Sequence, residues 1–410
     1  MKKSKNLYII KNELFAKRYK DFKKSGLIGF FEFNHDLITN YRIFGRKNHH
    51  VFFGYYDLQQ LNKESNKILV LQVGKHASPK HSVAKVCYID LHNGKFHFIC
   101  NTRAWCWQQG ARVRWCDDDQ NCILVNNKLR GHFICQKVNI FSRKIINNYP
   151  IAFYDINLVS GIGLSLDFSR LQRMRPGYGY SSIKDSSKKE TAPKTGIVKY
   201  DINSRTKNNI ISLYELSKQV DCDISDHHYI NHISISPNGD KFIFFHLWAK
   251  NGIEMWKMRL LISDMNGNFK ELERNDIISH YCWLNNNELM VTKIAMDKEF
   301  CFIIYNLITG EKRIIENNFL VQDGHPVLLN NKNTFIVDTY PDETSIQELF
   351  ISDINNGNKK IKLQRIFSDP RLFIEKRCDL HPRVKNKLLS IDSTFLDGVR
   401  KVVVLELKEI

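Results

Sequence analysis

A histidine, a short strand, a polar turn and an apolar strand recur in this order along the chain. The clearest copy is residues 231–245, NHISISPNGDKFIFF, in which the turn SPNGD separates two runs of strand-forming residues. His280, His325 and His381 open three later copies. A chain that repeats such a unit buries its apolar strands by packing each copy against the next, as solenoids and propellers do.

Counting the units gives seven, which start near residues 50, 104, 150, 226, 278, 322 and 376. These intervals suit four-stranded blades with loop insertions. The sequence therefore predicts an all-β, seven-bladed β-propeller, with six or eight blades as alternatives. The outer halves of the units also match, as in CYIDLHNGK at 87–95 and LLISDMNGN at 260–268.

The propeller is predicted to occupy residues 49–410, and residues 1–48 are predicted to form a basic N-terminal extension. Apolar positions at near-helical spacing over residues 7–25 predict a short helix in that extension. A strand from the 28–53 region, such as IGFFEF, is expected to complete the short last unit and close the ring. Residues 181–196 are almost wholly polar, which predicts either a flexible loop that borders a site or an exposed hairpin tip.

The formal net charge is +18, of which residues 1–50 contribute +8 through 12 Lys/Arg and 4 Asp/Glu. A basic surface suits an acidic partner, and we expect an acidic polysaccharide or oligosaccharide rather than nucleic acid. No apolar run is long enough to span a membrane, and the N-terminus lacks the apolar core of a secretory signal, so we expect a cytoplasmic location. Most of the 10 cysteines are expected to be buried free thiols.

Four histidines occupy the same position in consecutive units, where a propeller would place them around the mouth of its central channel. They are His232, His280, His325 and His381. Gln322 and Cys378 lie three residues before His325 and His381, so each could add a further ligand. Imidazoles with a thiolate or a side-chain oxygen are ordinary ligands of divalent metals. The sequence therefore predicts a metal site at this mouth.

Arginine, tyrosine and histidine side chains are predicted to share that face. This combination suits β-elimination of a uronic-acid glycan, which needs the substrate carboxylate neutralised, a base for the adjacent proton and an acid for the leaving oxygen. We expect Arg175 on the carboxylate, with Tyr178 and His50 in proton transfer. The predicted catalytic residues are His50, Arg175, Tyr178 and His228, and the predicted substrate-binding residues are Arg112, Tyr180, Arg377 and Arg383.

Several motifs resemble those of the propeller-type polysaccharide lyases, which include the oligogalacturonate lyases and the ulvan-lyase-like families. They are FFGYYD at 52–57, RMRPGYGY at 173–180, HISISPNGDKFIFF at 232–245, DGHP with DTYPD at 323–342, and RCDLHPR at 377–383. The resemblance covers the chain from residue 50 to the end, and the stretch SPNGDKFIFF resembles the blade repeat of TolB.

The resemblance implies a divalent metal, zinc or manganese, held by histidines of the late blades. His280, Gln322 and His325 match the manganese pattern of the oligogalacturonate lyases, whereas Cys378 and His381 suit the zinc pattern of the ulvan-type families. It also implies a lyase that acts on a uronate-containing polysaccharide or oligosaccharide. Two alternatives stay open: a non-catalytic glycan-binding or scaffold propeller in surface-polysaccharide biosynthesis, and nucleic-acid binding through the basic N-terminus.

Overall fold

The structure is a computed structural model of the chain, and it confirms the predicted seven-bladed β-propeller. It describes residue 26 and residues 28–116, 121–185, 194–221, 227–249, 257–274, 277–294, 300–315, 323–329, 333–357 and 359–408. The helix predicted over residues 7–25 lies outside these ranges. No helix in the described ranges is long and apolar enough to cross a membrane.

The strands are numbered in chain order, and each blade is an antiparallel sheet whose innermost strand comes first. Strands β1 (Phe31–Phe33) and β2 (Ile38–Phe44) belong to the last two blades. Blade one contains β3 His49–Phe52, β4 Lys67–Gly74, β5 Ala84–Asp90 and β6 Phe96–Thr102. Blade two contains β7 Arg114–Trp115, β8 Cys122–Leu129, β9 His132–Asn139 and β10 Ile145–Tyr149. Blade three contains β11 Asp155–Asn157, β12 Ile162–Ser165, β13 Gly196–Asp201 and β14 Thr206–Ser212.

The remaining blades follow the same plan. Blade four contains β15 His227–Ile235, β16 Lys241–Ala249, β17 Lys257–Asp264 and β18 Phe269–Arg274. Blade five contains β19 Ile277–Trp283, β20 Glu288–Ile294, β21 Phe300–Asn306 and β22 Lys312–Ile315. Blade six contains β23 Val327–Leu328, β24 Thr334–Asp338, β25 Ile346–Asp353 and β26 Lys360–Phe367, and blade seven contains β27 Arg383–Lys385, β28 Leu388–Ser393 and β29 Lys401–Leu407. Helices α1 Phe168–Met174 and α2 Leu213–Ser217 and a 3₁₀ helix, Ile374–Lys376, lie between strands.

Two N-terminal strands complete the last two blades. Strand β2 pairs with β29 as the outermost strand of blade seven, and β1 pairs with β26 as a fifth strand of blade six. A strand from the 28–53 region therefore completes the last blade, but it is β2 rather than the example IGFFEF. Asn34 explains the shift, because its side chain and backbone support a tight turn that sends the chain from one blade to the next before Ile38.

The turn SPNGD shows how the sequence defines a blade. The hydroxyl of Ser236 donates to Asn238 and Asp240, and Gly239 has a φ of 80°, so the five residues form a tight hairpin between β15 and β16. Phe242, Ile243 and Phe244 follow with almost no solvent exposure. Buried residues on both faces of β16 match a strand that is packed between two neighbouring blades.

Two of the predicted histidines lie inside an innermost strand rather than before it. The pairing of β15 with β16 shifts register between Asn231 and Ser234, and His232 within this bulge has a φ of 53°. The pairing of β19 with β20 shifts between Ile278 and Tyr281, around His280. Bulges turn a side chain away from the regular alternation of a strand. Here they bring both histidines toward the cluster described next.

Candidate metal and active site

Four histidines from four consecutive blades meet around the ring of Tyr55, which lies in the loop after β3. The ring centroids of His232, His280, His325 and His381 lie 5.4, 6.4, 5.8 and 4.9 Å from that of Tyr55. All five side chains are buried, and the Tyr55 hydroxyl has no hydrogen-bond partner in the described part of the chain. We call these five residues the histidine cluster.

Carboxylates fix the ring orientation of two of these histidines. His325 Nδ1 donates to both oxygens of Asp338, at 2.9 and 3.0 Å, and His280 Nδ1 donates to Asp323 at 3.0 Å. An ionised carboxylate can only accept, so each neutral ring keeps its proton on Nδ1 and its lone pair on Nε2. The Nε2 atom of His325 is buried without a partner among the described residues. A carboxylate behind an imidazole is the usual arrangement of metal-binding histidines.

Asp338 also joins blade six to blade seven. Its two oxygens accept the backbone N–H groups of His325, at 2.7 Å, and of His381, at 3.1 Å. His381 has a φ of 47°, and both of its ring nitrogens are buried and unpartnered within the described ranges. Buried ring nitrogens without hydrogen-bond partners, beside an imidazole of fixed orientation, offer lone pairs that a metal ion could bind.

Asp379 completes a group with the spacing of metal ligands. One ligand atom each of His325, Asp379 and His381 lies within 4.8 Å of the other two. The His280 ring lies 3.9 Å from that of His325, which makes His280 a neighbour of this group. Two imidazoles and a carboxylate suit zinc, manganese and other divalent ions. The residues present therefore fit a divalent metal.

The charges around this group have opposing effects on its histidines. Burial lowers the pKa of His325, but the Asp338 carboxylate outweighs burial and leaves the pKa above its ordinary value. Burial, together with the charge of His325, holds the pKa of His381 well below its ordinary value. Burial raises the pKa of Asp379, but Arg377 outweighs it and keeps this carboxyl ionised at lower pH. The group therefore contains the anionic oxygen and the neutral imidazole that a metal ion prefers.

Arg175 and Tyr178 border the histidine cluster, as predicted from RMRPGYGY. The guanidinium of Arg175 lies 4.5 Å from the ring centroid of Tyr178 and hydrogen-bonds to the hydroxyl groups of Tyr178 and Tyr229. The Tyr178 ring lies 6.2 Å from that of His232 and 6.3 Å from that of Tyr55. Arg175 ends helix α1, whose N-terminus is capped by the side chain of Asp167. This short helix therefore sets the position of the arginine.

Arg377 is the second arginine beside the cluster. It forms two hydrogen bonds with Asp379, at 2.6 and 2.7 Å, and its guanidinium lies 4.6 Å from the ring centroid of Tyr340. Its side chain is 35% exposed, whereas that of Asp379 is 1% exposed. Arg377 therefore extends from the buried acid to solvent.

Gln108 connects the two arginine segments. Its backbone N–H donates to the carbonyl of Gly177 at 3.1 Å, and its side-chain amide donates to the carbonyl of Arg377 at 2.7 Å. Arg400, which is fully buried, donates to the carbonyls of Lys376 and Arg377 as well. The loop that carries Gln108 therefore holds Arg175 and Arg377 at a fixed separation.

Two predicted substrate-binding arginines instead anchor the loop of Tyr55. Arg112 forms a two-point ion pair with Asp57, at 2.8 and 2.9 Å, and Arg383 donates to the carbonyl of Gly54 at 2.9 Å and to Asp392 at 3.1 Å. Both guanidinium groups are buried in these contacts. These contacts give both arginines a structural role, and their predicted substrate contact is not supported by this bonding.

Glycine is required in that loop. Gly54 has a φ of 129°, and a Cβ atom there would lie 2.7 Å from the backbone nitrogen of Gly110. The motif FFGYYD thus turns sharply at Gly54 and directs Tyr55 into the cluster, while the hydroxyl of Tyr56 bonds to the backbone of Tyr281 at 2.9 Å. FFGYYD is one of the motifs that resemble the propeller-type lyases, but the sequence pattern does not predict Tyr55 as a site residue.

Three further predicted residues lie in packed or bonded surroundings away from the cluster's contacts. His228 Nδ1 bonds to His246 Nε2 at 3.1 Å, and Tyr180 stacks on Phe168 with centroids 4.3 Å apart. Cys378 is buried, and burial raises the pKa of its thiol to about 12, which disfavours the thiolate that a metal needs. The neighbouring Asp379, rather than Cys378, lies within ligand distance of His325 and His381. Gln322 lies outside the described residues.

His50 is held by the backbone on both sides of its ring. Nε2 bonds to the carbonyl of Lys75 at 3.1 Å, and Nδ1 accepts from the backbone N–H of Arg400 at 3.0 Å. Its ring packs against Trp107 rather than against the histidine cluster. The predicted role in proton transfer is therefore not supported by its bonding, since neither ring nitrogen is available.

This bonding predicts a measurable pH dependence of stability. Burial and the charge of Arg400 lower the pKa of His50 from 6.5 to about 4. The unfolded chain therefore binds this proton first, and the stabilisation is present above pH 6.5 and is lost as the pH falls toward 4. Between pH 7 and pH 4, the free energy of unfolding should therefore fall by up to about 3 kcal/mol less in His50→Gln than in the wild type.

Urea unfolding at several pH values measures this slope. His49→Gln changes the neighbouring half-buried histidine and serves as the control, with the wild-type slope expected. Equal slopes in His50→Gln and the wild type would show that His50 is protonated as readily in the folded chain as in the unfolded chain.

The fold and site together define a seven-bladed propeller with a buried histidine cluster to which four consecutive blades contribute. No model of a known protein family matches the sequence, and no curated protein matches it. An oligogalacturonate lyase in complex with manganese is similar in structure, with a TM-score of 0.64, 12% identity, and coverage of 91% of this chain and 97% of that chain. An oligogalacturonate lyase from Vibrio parahaemolyticus gives a TM-score of 0.63 and 11% identity over 93% of this chain and 99% of that chain. TolB from Acinetobacter baumannii gives a TM-score of 0.38 and 12% identity, over 73% of this chain and 63% of that chain.

The predicted resemblance to oligogalacturonate lyases is confirmed at the level of fold. The similarity extends over nearly the whole length of both chains. This chain and those structures therefore share one overall fold.

Proposed function

We propose that this protein is a metal-dependent lyase that cleaves a uronate-containing polysaccharide or oligosaccharide by β-elimination. The observation that carries the proposal is the group His325, Asp379 and His381, with its orphaned ring nitrogens, beside the pair Arg175 and Tyr178. A similar structure is that of an oligogalacturonate lyase in complex with manganese, which supports a divalent ion here.

The residues divide the chemistry among them. A divalent metal held by His325, His381 and Asp379 would withdraw charge from the uronate carboxylate and make the adjacent C5 proton more acidic. Arg175 donates to the hydroxyl oxygen of Tyr178 and so fixes the position of the hydroxyl group that would exchange a proton with substrate. Arg377, partly exposed, is placed to attract an acidic chain to this site.

Elemental analysis of the purified protein and near-ultraviolet absorbance of unsaturated products test the proposal together. We expect one divalent ion per chain and product from at least one member of a panel of uronate oligosaccharides. Binding of a uronate oligosaccharide without any turnover would favour the non-catalytic glycan-binding or scaffold propeller instead. A cytoplasmic location stays part of this proposal, since the substrate would then be an oligosaccharide.

A further inference from the structure

A closed network of polar side chains fixes the position of the proton on His232. The hydroxyl of Tyr154 accepts from Gln109 Nε2 at 2.7 Å and from the backbone N–H of His232 at 3.1 Å. With both acceptor positions used, its own proton goes to Asn231 Oδ1 at 3.1 Å. The amide nitrogen of Asn231 then faces His232 Nε2 at 3.1 Å. Nε2 therefore accepts, and the neutral ring carries its proton on Nδ1.

The reversed network is less favourable. With the proton on Nε2 of His232, the side-chain hydrogen bonds of the network would run in the opposite direction, and the Gln109 amide would have to rotate. Its two N–H groups would then take the place of its carbonyl oxygen, which is buried without a donor among the described residues. Buried N–H groups without acceptors are rarer in proteins than under-satisfied carbonyls. The orientation that places the proton on Nδ1 of His232 leaves fewer such donors.

The Nδ1 atom of His232 is itself buried and has no partner in the described ranges. The ring stands against Tyr55 and Tyr178, between the metal group and the Arg175–Tyr178 pair. An N–H group left without an acceptor at such a place costs free energy that a bound substrate oxygen would recover. Burial and the charge of Arg175 hold the pKa of His232 well below its ordinary value, in keeping with a neutral ring.

We propose that His232 is a neutral hydrogen-bond donor, through Nδ1, to an oxygen of the substrate, and that it does not bind the metal. The proposal rests on the proposed function and assigns one residue within it. The donor would stabilise the charge that builds on the uronate when its C5 proton is removed, as neutral imidazoles do in other enzymes. No proton leaves His232. Metal binding is excluded because one ring nitrogen carries the proton and the other accepts from Asn231.

Nuclear magnetic resonance of the full-length protein with ¹⁵N-labelled histidine reads this tautomer directly. The chain contains 15 histidines, so the His232 signal is assigned by its loss in His232→Gln. We expect a protonated Nδ1 and an unprotonated Nε2 in the wild type, and the same in Tyr281→Phe, which removes a nearby hydroxyl outside the network. A proton on Nε2 in the wild type would overturn the proposal.

The metal content separates His232 from the metal group. His232→Gln should retain the ion found in the wild type, as measured by elemental analysis of the purified protein. Loss of the ion from this variant would show that His232 is a ligand, as the sequence had suggested, and would refute the proposed role.

Asn231→Asp tests the link between tautomer and turnover. An ionised carboxylate can only accept, so it should move the proton of His232 to Nε2 and present a lone pair to the substrate oxygen. Turnover should then fall about 10²–10³-fold with little change in KM, since one transition-state contact is lost. A changed tautomer with full turnover would overturn the role. Tyr154→Phe, which removes the hydroxyl that orients Asn231, should weaken the preference for Nδ1 and provides the second variant.

The position of the proton on His232 and the proposed function are refuted by different measurements. A wild-type protein that cleaves no uronate counts against the function, and with it against the substrate contact of His232. The spectrum still decides where the proton lies, whatever the activity.

Discussion

Replacing His325 with glutamine is expected to remove the metal ion and to abolish turnover. His325 contributes an Nε2 atom that has no partner among the described residues, and Asp338 fixes the direction of this atom. The His325 ring contacts the rings of both His280 and His381. Glutamine cannot present a nitrogen lone pair, and its neutral amide oxygen is a weaker ligand than an imidazole, so the affinity of the group for the ion would fall. Elemental analysis and absorbance of unsaturated products measure the two losses.

Asp338→Asn is the graded version of this experiment. An amide retains one acceptor oxygen, so the backbone bonds to His325 and His381 would be kept only in part. Metal affinity should fall about 10–100-fold, as expected when the partner of a metal-bound imidazole is changed. Titration of the metal-free protein with Mn²⁺ or Zn²⁺ gives the affinity.

His97→Gln is a matched control, because His97 stacks on Tyr88 in an outer strand of blade one. It should bind metal as the wild type does. Full metal content in His325→Gln would disprove the assignment of this group.

Arg175→Lys is expected to lower turnover about 10²–10³-fold although it keeps the positive charge. The guanidinium bonds to the hydroxyl groups of Tyr178 and Tyr229 at once, and an ammonium group cannot make the same planar contacts. Tyr178→Phe should lose activity to a similar degree, because only the hydroxyl that exchanges the proton is removed. Both variants should keep the metal and the wild-type thermal midpoint of unfolding.

Two nearby substitutions control for this pair. Arg173→Lys changes an arginine in the same helix that pairs with Asp185, and Tyr214→Phe removes a hydroxyl from helix α2. Both should turn over substrate at the wild-type rate. If Arg175→Lys and Tyr178→Phe also did so, the lyase could stand but its proton-transfer residues would have to lie elsewhere.

The repeat could be read from the sequence because each blade carries its own turn and its own apolar strand. SPNGD predicts the hairpin between β15 and β16 through local hydrogen bonds alone. The same is true of the histidines, whose position in each unit predicts that His280, His325 and His381 converge. What the repeat could not show is that His232 and His280 lie in bulges, since register is decided by the partner strand.

Several predicted site residues are instead bound by partners that are distant in sequence. Arg383 binds the carbonyl of Gly54, 329 residues away, and the backbone of Arg400 binds His50 across 350 residues. A polar side chain near a channel mouth can point into the channel or toward a neighbouring segment. The position of that segment, which is distant in sequence, decides between the two directions. Asp338 and Asp379 lie within DTYPD and RCDLHPR, so the carboxylate beside each late histidine was a signal that could have been read.

The pairing of β2 with β29 has a consequence for the order in which the protein is made. Blade seven joins Ile38 to Leu407, so the ring cannot close until the ribosome has released the chain as far as Leu407. His381 and Asp379 precede that closing strand, and Tyr55 lies in the first blade. All three residues of the metal group, His325, Asp379 and His381, are therefore synthesised before the ring can close. Blades six and seven, which carry them, are fixed in one ring only once β29 pairs with β2, so we expect metal binding to follow ring closure.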